Sequence, residues 1–513
     1  MAEQLERPVI RHNDYSPLTP PPLGEWRPSL PVSVIIPARD QRPLDLALAA
    51  LSAQTYPADL TEVIVVDDGA EPPLRLPEIV PENTRIVPSA PGGWGIAHAI
   101  NSGVAASEGE IIQRLDSDMV ICREHLEALL RWHHLADYVV TIGGKRFIEE
   151  PEVSAEQVRD AVARGALGDL FDLSAAIPSS TEETIRRLDG LKAAKNPYHN
   201  CTGPTVSLRR SLFERVGGMD AEVLRGSDTE FAYRLAMTGV VFVPDLTAEA
   251  VHLGLPAQKR AGDRERTVRS VEPYLAHRVP LRRDLRKERA RRWLVPYVEV
   301  IFMLPEDVGQ TVEGGPLERM VRAAVDATLG GTLPDVVVTL VAPWSELPTG
   351  RHSVLADPGY ELRLLRSGFA PDERVRLADE VPATSWPAPY RYTGPLDAPP
   401  AGDRLERMVK VMTEERLGVL VVELPDGRTA HLERTDAVNR ALLLAAPGQD
   451  LDGIIDRTHG VRRMADGELT PIGEPARRPA PVKTAPPVVR PAEQPAVAKK
   501  SLATRLRGVV RPR

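Results

Sequence analysis

The first half of the chain alternates short apolar runs with segments of helical spacing. "PVSVIIPARD" (31–40) reads as a strand ending at Pro37. "PLDLALAALSAQTYP" (43–57) carries Leu44, Leu48 and Leu51 at helical spacing between two prolines. "TEVIVVDDGA" (61–70) is a second strand, "NTRIVPS" (83–89) a short third, "GGWGIAHAINSGVAASEG" (92–109) a glycine turn and helix, and "EIIQRLDSD" a fourth strand. These strands are apolar throughout and lack polar alternation. That pattern predicts a parallel sheet covered by helices on both faces, an α/β fold.

In open α/β sheets, ligands bind at the carboxyl ends of the strands. Three predicted strands carry polar or acidic residues there: Arg39 and Asp40, Asp67 and Asp68, Asp116 and Asp118. Asp-x-Asp offers hard oxygen ligands suited to Mg²⁺ or Mn²⁺, which also take substrate phosphates. Alone, such a triplet is common in surface loops; at the end of the fourth strand it points to a metal and a diphosphate. The turn "GGWG" (92–95) lets backbone at Gly93 approach a phosphate or sugar. Trp94 stacks on a sugar or covers the core, and both remain open. No GxGxxG follows the first strand, which argues against a dinucleotide cofactor.

"VSVIIPARD", "EVIVVDDG", "AINSGVAASEGEIIQRLDSD" and "VGGMDAEVLRGSDTEFAYRLAMTG" together resemble family 2 inverting glycosyltransferases of the GT-A fold, over about 31–255. The last motif is also similar to a segment of galactosyl- and chondroitin-type polymerising transferases. The resemblance implies that Pro37, Ala38, Arg39, Asp67 and Asp68 line the nucleotide. It implies that Asp116 contacts the ribose or a metal-bound water and that Asp118 ligates Mn²⁺ or Mg²⁺, with His252 as a further ligand. It places the catalytic base at Asp228, with Glu230 in reserve. Phe231 and Leu235 put "RGSDTEFAYRL" on a helix, where Asp228 also suits an N-cap. Ser227 stands where the family commonly has an acceptor-contacting glutamate. The implied donor is a nucleotide-sugar, usually of UDP, and the implied acceptor a glycan or lipid-linked hydroxyl in cell-surface polysaccharide synthesis. Residues 151–200 interrupt the pattern and are expected to serve the acceptor.

After a basic connector (259–294), the order of elements repeats, which reads as an internal repeat over 295–474. "YVEVIFMLP" parallels "PVSVIIP", "GGPLERMVRAAVDATLGGTLP" the first helix, "DVVVTLVAP" the second strand, and "LGVLVVELPDGRTA" (417–430) the fourth. In that alignment Leu340 and Val341 stand opposite Asp67 and Asp68, and Pro425-Asp426-Gly427 opposite Asp116-Ser117-Asp118. The second half is expected to be a degenerate GT-A-like domain without a metal site. The connector is expected to be a solvated helix or a cationic face toward diphosphate or lipid.

Composition narrows the classes further. The 513 residues carry net charge −8, which argues against general nucleic-acid binding. Two separated cysteines, Cys122 and Cys201, read as free thiols. No apolar run is long enough to cross a bilayer and the start lacks a signal peptide, so a cytoplasmic protein is expected. Residues 1–30 form a proline-rich lead-in. The tail 475–513 reads as disordered, with ten Lys or Arg against one Glu. It is a solvated tether or a short basic helix lying on the inner face of the membrane. Homo-oligomerisation is left open. The competing class is a non-catalytic glycan-binding or scaffold protein. A sugar nucleotidyltransferase is disfavoured, because "PVSVIIPARDQ" lacks that enzyme's Gly-rich basic start.

Overall fold

The computed structural model describes residues 7–149, 152–223, 225–254, 264–288, 291–305, 317–350, 353, 357 and 359–469. The predicted tail, and the connector's residues 259–263, 289 and 290, lie outside them. Met1–Pro471 forms one compact unit.

The first half contains β1 (Val32–Ala38), β2 (Thr61–Asp67), β3 (Thr84–Pro88), β4 (Ile111–Arg114), β5 (Met119–Ile121), β6 (Val139–Gly143), β7 (Arg146–Ile148), β8 (Ile177–Pro178), β9 (Val206–Arg209), β10 (Val241–Asp245) and β11 (Ala250–Leu253). Seven of them make one sheet, ordered β10-β6-β9-β4-β1-β2-β3, in which only β9 runs antiparallel. The fold class is the expected mostly parallel α/β. Val34, Ile35, Ile36, Val63, Ile64 and Val65 have no exposed surface, so residues on both faces of β1 and β2 are buried. That is why these strands read as continuous apolar runs. The helices at Gln41–Leu51 and Ile96–Ala105 cover opposite faces, the former against Ile36 and Val65, the latter against Ile35 and Val66. A four-stranded sheet, β5-β11-β7-β8, sits beside the carboxyl ends.

The second half contains β12 (Val298–Met303), β13 (Val336–Val341), β14 (Val375–Ala378), β15 (Tyr390–Thr393), β16 (Val419–Glu423), β17 (Thr429–Arg434) and β18 (Val461–Ala465). Their order is β14-β13-β12-β15-β17-β16-β18, again with one antiparallel strand, β17. Strand for strand, this is the topology of the first sheet. The repeat therefore exists, but its fourth strand is β15 and not 417–430. β12 pairs with β15 at the same offset as β1 with β4: Val298↔Tyr390 and Ile301↔Thr393 against Val32↔Ile111 and Ile35↔Arg114. Carrying that register forward puts Pro395 and Asp397 at the positions of Asp116 and Asp118. The β12–β13 register puts Ala342 and Pro343 at those of Asp67 and Asp68.

The connector is not simply solvated. Arg286 is buried and, with Arg283, pairs with Asp335 at 2.8 Å. Arg278 pairs with Asp220 at 2.6 Å. The halves also meet at backbone level. Gly239 has φ 87°, and a Cβ there would lie 2.5 Å from the Arg440 nitrogen. The buried Arg440 guanidinium donates to the carbonyls of Gly239, Val240, Ile10 and His12, tying both halves to the lead-in.

Candidate active site

β1 lies between β2 and β4, all three parallel, so their carboxyl ends are adjacent. Pro37 and Ala38 form the end of β1, and Arg39 and Asp40 follow it exposed. Asp67 accepts from the N–H groups of Gly69 (3.0 Å), Ala70 (2.8 Å) and Leu74 (3.1 Å), so one carboxylate shapes the loop beyond β2. Asp68 accepts from Gly95 N–H at 3.1 Å, tying the "GGWG" turn to the same edge. Gly93 packs on the His98 ring, where a side chain has no room. Trp94 is 64% exposed and covers no core.

Asp116 and Asp118 follow β4 in a tight turn closed by Met119 N–H to Asp116 C=O, 3.2 Å. The small sheet brings His252 to them. β11 pairs with β5 in the register His252↔Met119, and Leu253 N–H donates to Asp118 C=O at 2.9 Å. His252 Nε2 then lies 3.6 Å from Asp118 Oδ2, with its ring tilted on Phe147. Two such groups are close enough to share one cation. Asp116 instead faces Arg114 at 3.4 Å. Among the described residues, no three His, Cys, Asp or Glu side chains are gathered as a metal site, so the predicted trio of Asp116, Asp118 and His252 is brought only partly together.

Asp228 joins this edge from the helix Ser227–Met237. The N-cap is Gly226, at φ 80°, and no side chain caps the helix. Asp228 is thus not the N-cap. It is free to reach outward, where one oxygen pairs with Arg114 and the other accepts from Gly203 N–H at 3.1 Å. Ser227 is buried. Glu230 is 3% exposed and held by both oxygens in an ion pair with Arg234, at 2.5 and 2.7 Å. Arg234 in turn donates to the Val216 and Gly218 carbonyls. Glu230 therefore braces the "VGGMD" turn and does not face the cluster.

Two cations at the site escaped the sequence reading. Arg114 is buried at the end of β4. Burial lowers its pKa, but Asp228 and Asp116 outweigh that and hold it raised. Lys145, in "GGKRF" between β6 and β7, donates to Thr202 C=O at 3.1 Å. Burial pushes its pKa down against the pull of Asp116 and Asp228. The signal for Arg114 was present: an arginine ending a strand that opens Ile-Ile, two residues before an aspartate.

A mostly parallel α/β sheet thus gathers Asp67, Asp68, Asp116, Asp118 and Asp228 at its carboxyl edge. Residues 33–217 match the model of Glycosyl transferase family 2. The chain is 24% identical over 287 residues to chondroitin synthase of Pasteurella multocida, covering 49% of this chain and 29% of that protein. It is 29% identical over 218 residues to the pre-mycofactocin glycosyltransferase of Mycobacterium tuberculosis, covering 40% of this chain and 39% of that protein. The chain thus spans well under half the length of these relatives. The mannosyltransferase PcManGT of Pyrobaculum calidifontis, solved with GDP-Man and Mn²⁺, is 19% identical with a TM-score of 0.31, over 53% of this chain and 67% of that one. No helix among the described residues is long and apolar enough to cross a membrane.

Proposed function

We propose that the protein transfers a sugar from a nucleotide-sugar, with UDP the expected nucleotide, to a hydroxyl of a glycan or lipid-linked acceptor, with inversion at the anomeric carbon. The observation that carries this is the meeting of Asp228, from a helix distant in sequence, with the Asp116–Asp118 turn at one sheet edge. Asp67, Asp68 and the end of β1 would hold the nucleoside. Asp118 and His252 are the residues that would hold Mn²⁺ or Mg²⁺, with Asp116 beside them. The metal, when bound, neutralises charge growing on the departing diphosphate. Asp228 would take the proton from the acceptor hydroxyl as its oxygen bonds to the anomeric carbon and the carbon–diphosphate bond breaks. Trp94, exposed on its turn, is placed to stack on a sugar. Cell-surface polysaccharide synthesis is the context that the resemblance supports.

Thermal unfolding with UDP, GDP, CMP or dTDP, each with Mn²⁺ or chelator, tests this on wild type and Asp118→Asn. One nucleotide should stabilise wild type with metal and leave the variant unmoved; a ligand at 100 times its Kd contributes about 2.7 kcal/mol. Silence at millimolar nucleotide would favour the non-catalytic glycan-binding or scaffold role. The loss of carboxylates at Ala342, Pro343 and Pro395 in the second half supports that role for the second half.

A further inference from the structure

A second cluster of cations lies away from the carboxyl edge, where both halves and the lead-in meet. A cavity of about 170 Å³ is lined by Lys195 and Asn196 of the first half, Arg283 of the connector, and Tyr390, Arg416 and Arg434 of the second. A smaller one, of about 40 Å³, shares Lys195, Asn196, Arg416 and Arg434 with it and is closed by His12, Tyr198, Arg440 and His459.

The charge there is unbalanced. Asp436, the one carboxylate lining either cavity, pairs with Arg434. Arg283 pairs with Asp335 at 2.8 Å. Arg416 donates to Ala194 C=O at 3.2 Å, and Arg440 to backbone carbonyls. Lys195, Arg416 and Arg440 have no carboxylate partner among the described residues. Burial, then Arg416, Arg11 and Arg434, push the His12 pKa down to about 4, so its imidazole adds no charge at neutral pH.

Two further features carry an energetic cost. Tyr198 lines the smaller cavity and is 1% exposed, and its hydroxyl oxygen has no hydrogen-bond partner among the described residues. Arg416 ends the helix Arg404–Glu415 at φ 58°, where glycine costs least. A buried hydroxyl without a partner and a left-handed backbone at a residue with a side chain both destabilise unless a ligand repays them.

We propose that this junction is a binding site for a small phosphate-bearing anion, distinct from the candidate donor site. Three uncompensated cations from separate elements suit a ligand with two or more charges and oxygens on several sides. A monocarboxylate offers one charge and two oxygens in a plane. Lys195 and Arg416 reach the anion from opposite halves, Arg434 keeps its guanidinium on the shared wall, and Tyr198 supplies a hydroxyl donor.

Calorimetric titration of the full chain with pyrophosphate tests this, in chelator so that a metal-dependent donor site stays silent. Sodium chloride at matched ionic strength and sodium glucuronate are the parallel arms. Pyrophosphate should bind wild type and Asp118→Asn equally, and at least about tenfold more weakly to Lys195→Ala/Arg416→Gln, since a charge-assisted hydrogen bond is worth that much. If the double variant does not fold, the exposed Lys195→Ala alone carries the test with the same expected direction. Absence of binding, equal binding by the variants, or glucuronate binding as tightly would each overturn the proposal.

Discussion

Asp228 shares its ion pair with Arg114, and a double-mutant cycle on the two measures whether that pair is a built part of the site. Asp228→Asn keeps the side chain's shape and its acceptance from Gly203 N–H, but leaves the buried Arg114 with only Asp116, at 3.4 Å. Arg114→Gln leaves Asp116 and Asp228 as neighbouring carboxylates without their shared cation. Removing one partner of a fully buried pair costs about 3–5 kcal/mol. The Asp228 side chain is 26% exposed and Arg114 11%, so solvent screens part of this. We expect about 2 kcal/mol for each variant and a similar coupling energy. At about 2 cal/mol/K per residue over the compact unit, 2 kcal/mol lowers Tm by about 2 °C, so urea titration is the better assay. In a transfer assay Asp228→Asn should lose the general-base contribution, a factor of about 10²–10⁴ in kcat, while nucleotide binding survives. Additive stability effects with coupling near zero would show that the contact does not order the site. Retained transfer in Asp228→Asn would remove it as the base.

Gly203→Ala should also strike the site: its φ is 91° and a Cβ there would run into the Lys145 ammonium. A stability loss of about 1–2 kcal/mol by urea titration, with a larger fall in kcat than in nucleotide affinity, is expected. Gly239→Ala should cost about 2–4 kcal/mol from its left-handed backbone and the clash with Arg440, and calorimetry should show one transition shifted as a whole. Stability should also fall in acid. His125 and His133 are buried, which pushes their pKa values down to about 4 and about 3. Groups held neutral in the fold contribute stability that is present above pH 6.5 and lost as pH falls toward those values. His133→Gln should flatten the urea-midpoint profile between pH 6.5 and 4 by about one proton; an unchanged slope would refute the assignment.

Much of the first sheet was legible because burial on two faces leaves a plain mark: β1, β2 and β4 are apolar runs, and carboxylates at their ends stand out. Asp118, His252 and Asp228 could be named by residue, but Arg114 and Lys145 beside Asp116 and Asp228 were not. Arg114 ends a predicted strand, but sequence does not show that Asp228 arrives from 114 residues away. Glu230 was the opposite case. Its i,i+4 spacing to Arg234 is visible in the sequence, and that spacing brings opposite charges together on a helix. The fourth strand of the repeat was misplaced because "YRYT" alternates polar and apolar residues over four positions, while "LGVLVVEL" is the stronger apolar run. Hydropathy ranks strands by burial, whereas sheet order is a non-local property that only pairing reveals.

The contact between Gly239 and Arg440 bears on how such a chain can change over generations. A half that keeps an acid at Asp397 but has Ala342, Pro343 and Pro395 at the other three strand-end positions would ordinarily be open to deletion. Here its removal would uncover the Gly239 and Val240 carbonyls and the lead-in's His12, whose donors come from Arg440. The second sheet is therefore retained whether or not it binds anything. Its old ligand edge can drift while its opposite edge, at the junction with the first half, stays under constraint. Variation among close relatives of this chain should follow that gradient, high around Pro395 and low around Arg440.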